Sequence, residues 1–356
     1  MPFSNFTNLD FDQIKTSIKD YLRANSNFTD FDFEGSNFSV LIDTLAYNTY
    51  ITAFNSNMIV NESFLDSATL RENVVSLSGN IGYTPRSRTA ANAQISFDAK
   101  INDDVSTVEL QPGIVCTGDI DNETYTFAIT EPVSANVIDN VAKFENINIY
   151  QGTYFEKTFT YDGSLDQRFI LDNSFIDTSK IVVYVKSSSE TNTNYDGVQY
   201  SLVNDIITID SNSKIFLIKE IQDEKYELKF GDGFFGKKLG EEAGSDGNII
   251  TVKYITTDGE DGNGAQRFTF SGRITDTNKV AVTLKSTPEI PSEFVVKSQN
   301  GGNIESIDSI KYFSPLLYSS QNRAVTARDY EAIIKKIFEF ESIVIISFTK
   351  EYCTPS

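Results

Sequence analysis

The sequence predicts an α+β, multidomain protein with an N-terminal helical bundle segment, a large all-β middle region and the start of a small α/β C-terminal domain. Three observations predict it. Apolar residues recur at helical spacing from residue 10 to residue 82. From there to residue 285, short alternating runs are punctuated by DG, NG and GDG turns. Helical spacing returns after Pro288 and Pro291. The expected divisions are residues 1–85, 86–285 and 286–356, with the middle region one elaborated domain or two packed subdomains. A chain of 356 residues, 40% hydrophobic and 12% aromatic, can bury several cores.

The first helix opens at Asp10, which with Gln13 has the spacing of a capping box. Its apolar face is Phe11, Ile14, Ile18, Tyr21 and Leu22. Gly35-Ser36 starts a second helix over residues 36–58 with two apolar stripes. Phe38, Leu41, Ile42 and Leu45 make one; Tyr47, Tyr50, Ile51 and Phe54 make the other. A helix apolar on two sides must be covered on two sides. The cover is either the other helices of a three-helix core or a helix of another chain. Thr69 and Glu72 have capping-box spacing for a third helix carrying Val74, Val75 and Leu77, which Gly79 and Gly82 end.

The loop from Gly82 to Ala91 marks the change to strands. Strands are expected at 94–97, 105–110, 125–129, 141–150, 155–161, 167–171, 181–186, 206–209, 215–220, 225–230, 249–255 and 280–284. Beyond them, Glu305–Phe313 and Ala327–Phe338 fit helices, with Pro315 interrupting the first. Thr326 is positioned to cap the second, with Asp329 at its third position. Ser342–Phe348 is a β-branched apolar run that fits a buried strand.

Composition excludes much chemistry. The chain has no histidine, which removes imidazole acid–base catalysis, histidine triads and histidine metal sites. Cys116 and Cys353 are too far apart in sequence to read as a disulfide scaffold or zinc site. The net charge of −20 opposes phosphate backbones and anionic membrane surfaces, so neither nucleic acid nor membrane is an expected partner. No apolar run approaches the roughly 20 residues that span a bilayer. The start MPFSNFTNLD lacks the basic and apolar regions of a secretory signal.

Gly231, Gly233 and Gly236 spell a literal G-x-G-x-x-G. A dinucleotide site needs a helix after it; here a second turn with Glu241 and Glu242 follows. A tight hairpin with positive-φ glycines accounts for the motif. Asp258–Asn263 departs from the EF-hand order, with Gly262 at the fifth position and Thr269 at the twelfth. No G-x-S-x-G elbow is present. No enzymatic activity, cofactor or metal is expected. A carbohydrate-binding or hydrolysing tail protein is the alternative, from the β-rich middle and many acids, although the chain has no tryptophan for sugar stacking.

The densest segment is Gly301–Glu331. It holds Gly301, Gly302, Glu305, Lys311, Tyr312, Phe313, Pro315, Asn322, Arg323, Ala324, Val325, Thr326, Asp329 and Tyr330. At this spacing it resembles the baseplate J-like family, the baseplate wedge proteins of contractile-tailed, T-even-type bacteriophages. The resemblance extends to Asp32–Ser36, Leu45–Asn48, Glu62–Phe64, Gln151–Thr153, Asp177, the Phe230–Gly236 turn, Tyr254, Gly259, Asn263 and Gly264. It implies a structural protein of the virion baseplate, assembled in the host cytoplasm. Two copies would join a third core-bundle subunit through N-terminal helices. Contacts with a sheath-initiating protein and neighbouring wedges would form the inner ring that transmits the contraction trigger. T-even-type members continue into a larger C-terminal dimerisation domain, which this chain is expected only to enter.

The expected interaction residues are Ile14, Ile18, Leu22, Phe38, Leu41, Ile42, Leu45, Tyr47, Tyr50, Phe54, Asn322, Arg323, Arg328, Asp329 and Tyr330. Arg323 and Arg328 have two readings: bidentate ion pairs with another chain, or an intrachain pair pinning the loop to Asp329 or Glu331. The segment as a whole reads as a hinge and docking point.

Overall fold

Helices α1 (Phe11–Ala24), α2 (Asn37–Glu62) and α3 (Arg71–Asn80) precede sixteen strands, and α4 (Ile307–Ser320) and α5 (Ala327–Phe338) follow them. This computed structural model describes residues 10–24 and 37–338, apart from 122, 165, 191, 193–195, 204–208, 241–246 and 322. The chain divides into two compact units: one runs to Pro85 and resumes at Ser306, and the other is Arg86–Glu305.

The helical unit starts as the sequence predicts. Asp10 Oδ1 accepts from the Asp12 and Gln13 N–H groups at 3.0 and 3.2 Å, satisfying two free donors of the first turn. α1 packs on α2, and Lys15 meets Asp43 at 2.5 Å. The main core lies between α3 and α4: Ala68, Val74, Val75 and Tyr83 meet Ile310, Phe313 and Leu317.

The Thr69–Glu72 capping box does not form. Leu70 is the N-cap residue of α3 and makes no side-chain cap. Glu62, at the end of α2, does that work instead. Its carboxylate accepts from Thr69 N (2.8 Å), Thr69 Oγ1 (2.7 Å), Leu70 N (3.3 Å) and Asn73 Nδ2 (2.8 Å). Burial pushes the Glu62 carboxyl up, but hydrogen bonds from Asn73, Thr69 and Leu70 outweigh it and hold it below its ordinary value. Glu62→Ala is therefore expected to cost about 1–2 kcal/mol. Because the folded pKa is lowered, this contribution is present above the unfolded value near 4.5. It is lost as pH falls through the folded value. Acid unfolding followed by circular dichroism should show wild type and Glu62→Ala converging at low pH.

Pro315 does not interrupt α4, which runs through it to Ser320. The proline lies on the exposed face and removes only the N–H that would reach the Lys311 carbonyl. Ile310, Phe313 and Leu317, buried on the other face, keep both halves on one core. Ser306 caps the helix through its Oγ, which accepts from Ser309 N at 3.2 Å.

The β unit holds two sheets. The nine-stranded sheet has the order β14 (Phe268–Phe270), β3 (Gly113–Ile120), β4 (Glu123–Ile129), β6 (Val141–Gln151), β5 (Val133–Ile138), β2 (Thr107–Leu110), β15 (Ile274–Asp276). β1 (Asn92–Lys100) pairs with β6 and with β16 (Val296–Gln299). Phe97, Phe127, Phe144, Phe268 and Phe270 fill its core, with Phe97 stacked on Phe144 at 5.0 Å between ring centroids. The seven-stranded sheet runs β7 (Thr153–Thr160), β13 (Ile249–Thr256), β9 (Val182–Lys186), β10 (Val198–Leu202), β11 (Ile215–Ile221), β12 (Lys225–Phe230), β8 (Phe169–Leu171). Among its described strands β10 and β11 pair in parallel and the other pairs are antiparallel. Its two edge strands meet through side chains: Lys157 Nζ donates to Ile170 O at 2.9 Å and Asp172 at 2.6 Å, and Phe159 packs edge-on against Phe169. The sheet thus curls toward a barrel, and a lysine on β7 guards the open edge against foreign strands.

Six strands escape the sequence reading, β16 among them. β3 and β5 contain Gly, Asp or Asn residues that read as turns; β10, β14 and β15 are short. Residues 280–284 are not a strand but make isolated bridges at Ala281 and Leu284. Of the expected strand at 206–209, residues 204–208 lie outside the described residues, as does all of 342–348. Residues 286–305, read with the C-terminal part, instead continue the β unit, because β16 adds to β1 beside Asn92 and Gln94.

Candidate assembly interface

α2 carries the largest uncovered apolar surface of the helical unit. At about 100° per residue, Ser39, Ile42, Ala46, Asn57 and Asn61 fall on one arc, and all five are buried. The exposed arc carries two apolar stripes, Val40, Tyr47, Phe54 and Met58 on one flank and Leu41, Leu45 and Ile59 on the other, with exposed Thr44, Asn48 and Asn55 between them. Leu45 keeps 49% of its surface in contact with solvent and Ile59 68%. Contiguous exposure of this kind marks a contact surface.

The serine and threonine hydroxyls along the helix are already occupied. Thr44, Thr49, Thr52, Ser56 and Ser63 each donate a hydroxyl proton to the carbonyl four residues back, at 2.7–2.8 Å. The two carboxylates of α2 are engaged as well, Asp43 by Lys15 and Glu62 at the α3 cap. The exposed stripes therefore carry no charge, and the threonine and serine hydroxyls beside them already have acceptors. Covering them would leave few unsatisfied donors and no buried ion, the two main costs of desolvation.

Of the expected residues, Ile14, Ile18 and Leu22 are half-buried on α1, and Phe38 and Tyr50 are half-buried on α2. Ile42 belongs to the buried arc, whereas Leu41, Leu45, Tyr47 and Phe54 belong to the exposed one. Val40, Met58 and Ile59 extend that arc and were not singled out from the sequence. Their signal was the helical period itself, continued at both ends of the two stripes.

The second expected cluster is divided. Asn322 lies outside the described residues. Thr326 and Asp329 form a reciprocal capping box: Asp329 Oδ2 accepts from Thr326 N at 2.7 Å, and Thr326 Oγ1 accepts from Asp329 N at 3.3 Å. The Thr326 amide and hydroxyl and the Val325 amide hold the Asp329 carboxyl below its ordinary range. Arg323 and Arg328 are exposed and pair with no carboxylate among the described residues, so the intrachain pin to Asp329 or Glu331 is not formed. Tyr312, Tyr318, Val325 and Tyr330 stand exposed on the same stretch.

Gly301, Gly302 and Glu305 belong to the β unit and serve its packing. Asn263 clamps Gly301 by both ends of its amide, donating to Gly301 O at 3.0 Å and accepting from Gly301 N at 2.8 Å. A Cβ on Gly301 would lie 2.2 Å from the Gly259 carbonyl oxygen. Gln151 is buried beside this knot; it donates to Asp258 at 2.7 Å and accepts from Thr257 at 2.6 Å. Asp177 is buried and ties Ala90 N (2.8 Å) to the Ser179 amide and hydroxyl, while burial raises its carboxyl above its ordinary value.

The glycine-rich motif is a turn, as the sequence predicts. Asp232 Oδ1 accepts from the Phe234 and Phe235 amides at 2.9 and 2.8 Å, and Gly233 N reaches Gly236 O at 3.0 Å. Gly233 and Gly236 have φ of 94° and 83°. Among the described residues, no group of three or more His, Cys, Asp or Glu is placed to hold a metal ion. None of their helices is long and apolar enough to cross a membrane.

Residues 10–83 match the family described as baseplate wedge protein gp6-like, helical domain. The chain is 29% identical over 342 residues to the baseplate wedge protein gp6 of Enterobacteria phage T4, a match covering 92% of this chain. It spans 50% of that curated relative's length. A solved baseplate structure, that of the anti-feeding prophage, aligns with 91% of this chain and 56% of its own at 10% identity and a TM-score of 0.27. By sequence, then, the chain is similar to a baseplate wedge protein of a contractile-tailed phage, and residues 10–83 match the helical domain of that kind of protein.

Proposed function

We propose that the chain is a non-enzymatic structural component of a contractile phage tail baseplate wedge, located in the virion, that assembles through the exposed arc of α2. The single observation that carries this reading is the 26-residue helix α2, which exposes two uncharged apolar stripes, Val40, Tyr47, Phe54 and Met58 on one flank and Leu41, Leu45 and Ile59 on the other. The match of residues 10–83 to a wedge helical domain supports the same segment as the assembling one. The partners are a second copy of this chain and other wedge proteins, and the covering elements are other helices. Participation in an inner ring that transmits the contraction trigger rests on the likeness to the phage T4 wedge protein.

Co-expression with the neighbouring tail genes, followed by co-purification and light scattering, tests the proposal. The expected result is a hetero-oligomer containing more than one copy of this chain. A stable monomer that retains no tail protein would overturn it.

A further inference from the structure

The Gly231–Gly236 turn carries the most exposed large apolar side chain among the described residues, Phe234, at 89%. The turn is fixed from several sides. Asp232 holds the Phe234 and Phe235 amides, and Gly233 N reaches Gly236 O. Gly236 N and Lys237 N donate to the Asp210 and Ser213 carbonyls of a neighbouring turn, at 3.0 and 2.8 Å. A Cβ on Gly231 would lie 2.2 Å from the Gly236 carbonyl carbon, and one on Gly236 would lie 2.5 Å from Ile215. Phe234 therefore stands on a backbone with little freedom left to lose when the ring is buried. Lys214 follows Ser213, and Lys238 bridges to Gly231, so both stand at this turn. Both are exposed, and neither forms an ion pair among the described residues.

The same unit contains a crevice of about 670 Å³ between the β1–β6 pair and the loop 286–294. Its walls include Pro288, Pro291 and Phe294, with Phe97 and Phe144 beneath. Phe294 is 58% exposed. The volume is that of a small-molecule pocket and admits an aromatic side chain. Asp98 lies opposite Lys143 across the strand pair. Glu145 and Glu289 are exposed and make no ion pair among the described residues, and Lys100 is the other cation of the lining. A second depression, beside β3 and β14, is lined by Asp119, Asp121, Gln266 and Arg267 and has no aromatic or proline wall. Phe234 does not fill the crevice of its own chain, being exposed.

We propose that the Phe234 turn of one copy docks into the 286–294 crevice of a second copy, with Lys214 and Lys238 facing Glu145 and Glu289. Knob and crevice are different surfaces of one chain, so the contact is head-to-tail. It does not rest on the α2 reading. The test uses the full chain carrying Leu45→Asp, which blocks association through α2, in sedimentation velocity over a concentration series. Association that grows with concentration is expected. Phe234→Ala and Phe294→Ala, both at exposed sites, should each weaken it about thirtyfold or more, the effect of losing an aromatic anchor. Neither should move the thermal midpoint. A mixture of the two variants should associate again but stop at a one-to-one pair, because one supplies the crevice and the other the knob. In the chain without Leu45→Asp, a photoreactive benzoylphenylalanine in place of Phe234 should crosslink to residues 286–294 or 143–146 of another copy. Should Leu45→Asp fail to fold, the crosslink decides. Association untouched by either variant, a mixture no better than its components, a chain that stays monomeric, or crosslinks only elsewhere or to added phosphatidylcholine vesicles would overturn the docking.

Discussion

Leu45→Asp is expected to leave the isolated chain folded and to abolish its assembly. Leu45 is about half exposed in the single chain, so the carboxylate stays hydrated there and the thermal midpoint should move little. Under a covering helix the same carboxylate would be buried without a partner, because the arc offers no cation and its hydroxyl protons are committed to carbonyls. An unpaired charge in such a place costs about 3 kcal/mol or more, which weakens association by roughly a hundredfold or more. Leu41→Asp should behave alike, being on the same arc. Ile42→Asp should differ in kind and unfold the helical pair, because Ile42 is buried within the chain. Sedimentation velocity with circular dichroism separates these outcomes. Loss of folding in Leu45→Asp would place the stripe in the chain's own core.

Gly301→Ala is expected to be strongly damaging to the β unit. The added methyl would sit 2.2 Å from the Gly259 oxygen and 2.9 Å from the Ala91 Cβ. Neither can retreat easily. Gly259 holds a left-handed φ of 68° in a loop bonded to Gln151 and Thr257, and Ala91 accepts from Gln151 N at 2.8 Å. Relieving the overlap means moving backbone on both sides of the Asn263 clamp. The expected loss is about 3 kcal/mol, in the range of overpacked cores, or roughly 6–12 °C in the β unit's unfolding midpoint. Gly79→Ala is the matched control. Its Cβ meets nothing within 4 Å and its site is helical, so a gain of about 0.5 kcal/mol is expected. Differential scanning calorimetry of both variants reads the contrast; equal midpoints would contradict it.

The helices were legible because their signals are local. Asp10, Thr326 with Asp329, and the stripes of α1 and α2 all work within a few residues of themselves. The apolar excess of α2 over its own needs could be read in the same way. What escaped depended on distance along the chain. The α3 cap comes from Glu62, seven or more residues back, so the nearer Thr69–Glu72 spacing was misleading. Pro315 is tolerated because partners from residues 68–83 hold both halves of its helix. β3 and β14 pair across about 150 residues, and no local pattern marks that.

The Gly301–Glu331 segment illustrates both limits. Its residues were rightly singled out as special, but they do two jobs on either side of Ser306. Gly301, Gly302 and Glu305 serve close packing in the β unit, whereas Arg323, Val325, Arg328 and Tyr330 are exposed on the helical unit. The sequence showed that the segment was a junction. Only the partners, Asn263, Gly259 and Arg86, reveal where the junction falls.

An image of the assembled tail at side-chain resolution tests the central claim most directly. The account predicts helices from other chains lying along α2, one burying Tyr47, Phe54 and Met58 and another burying Leu45 on the far flank. Those four side chains facing solvent in the assembled particle would contradict it.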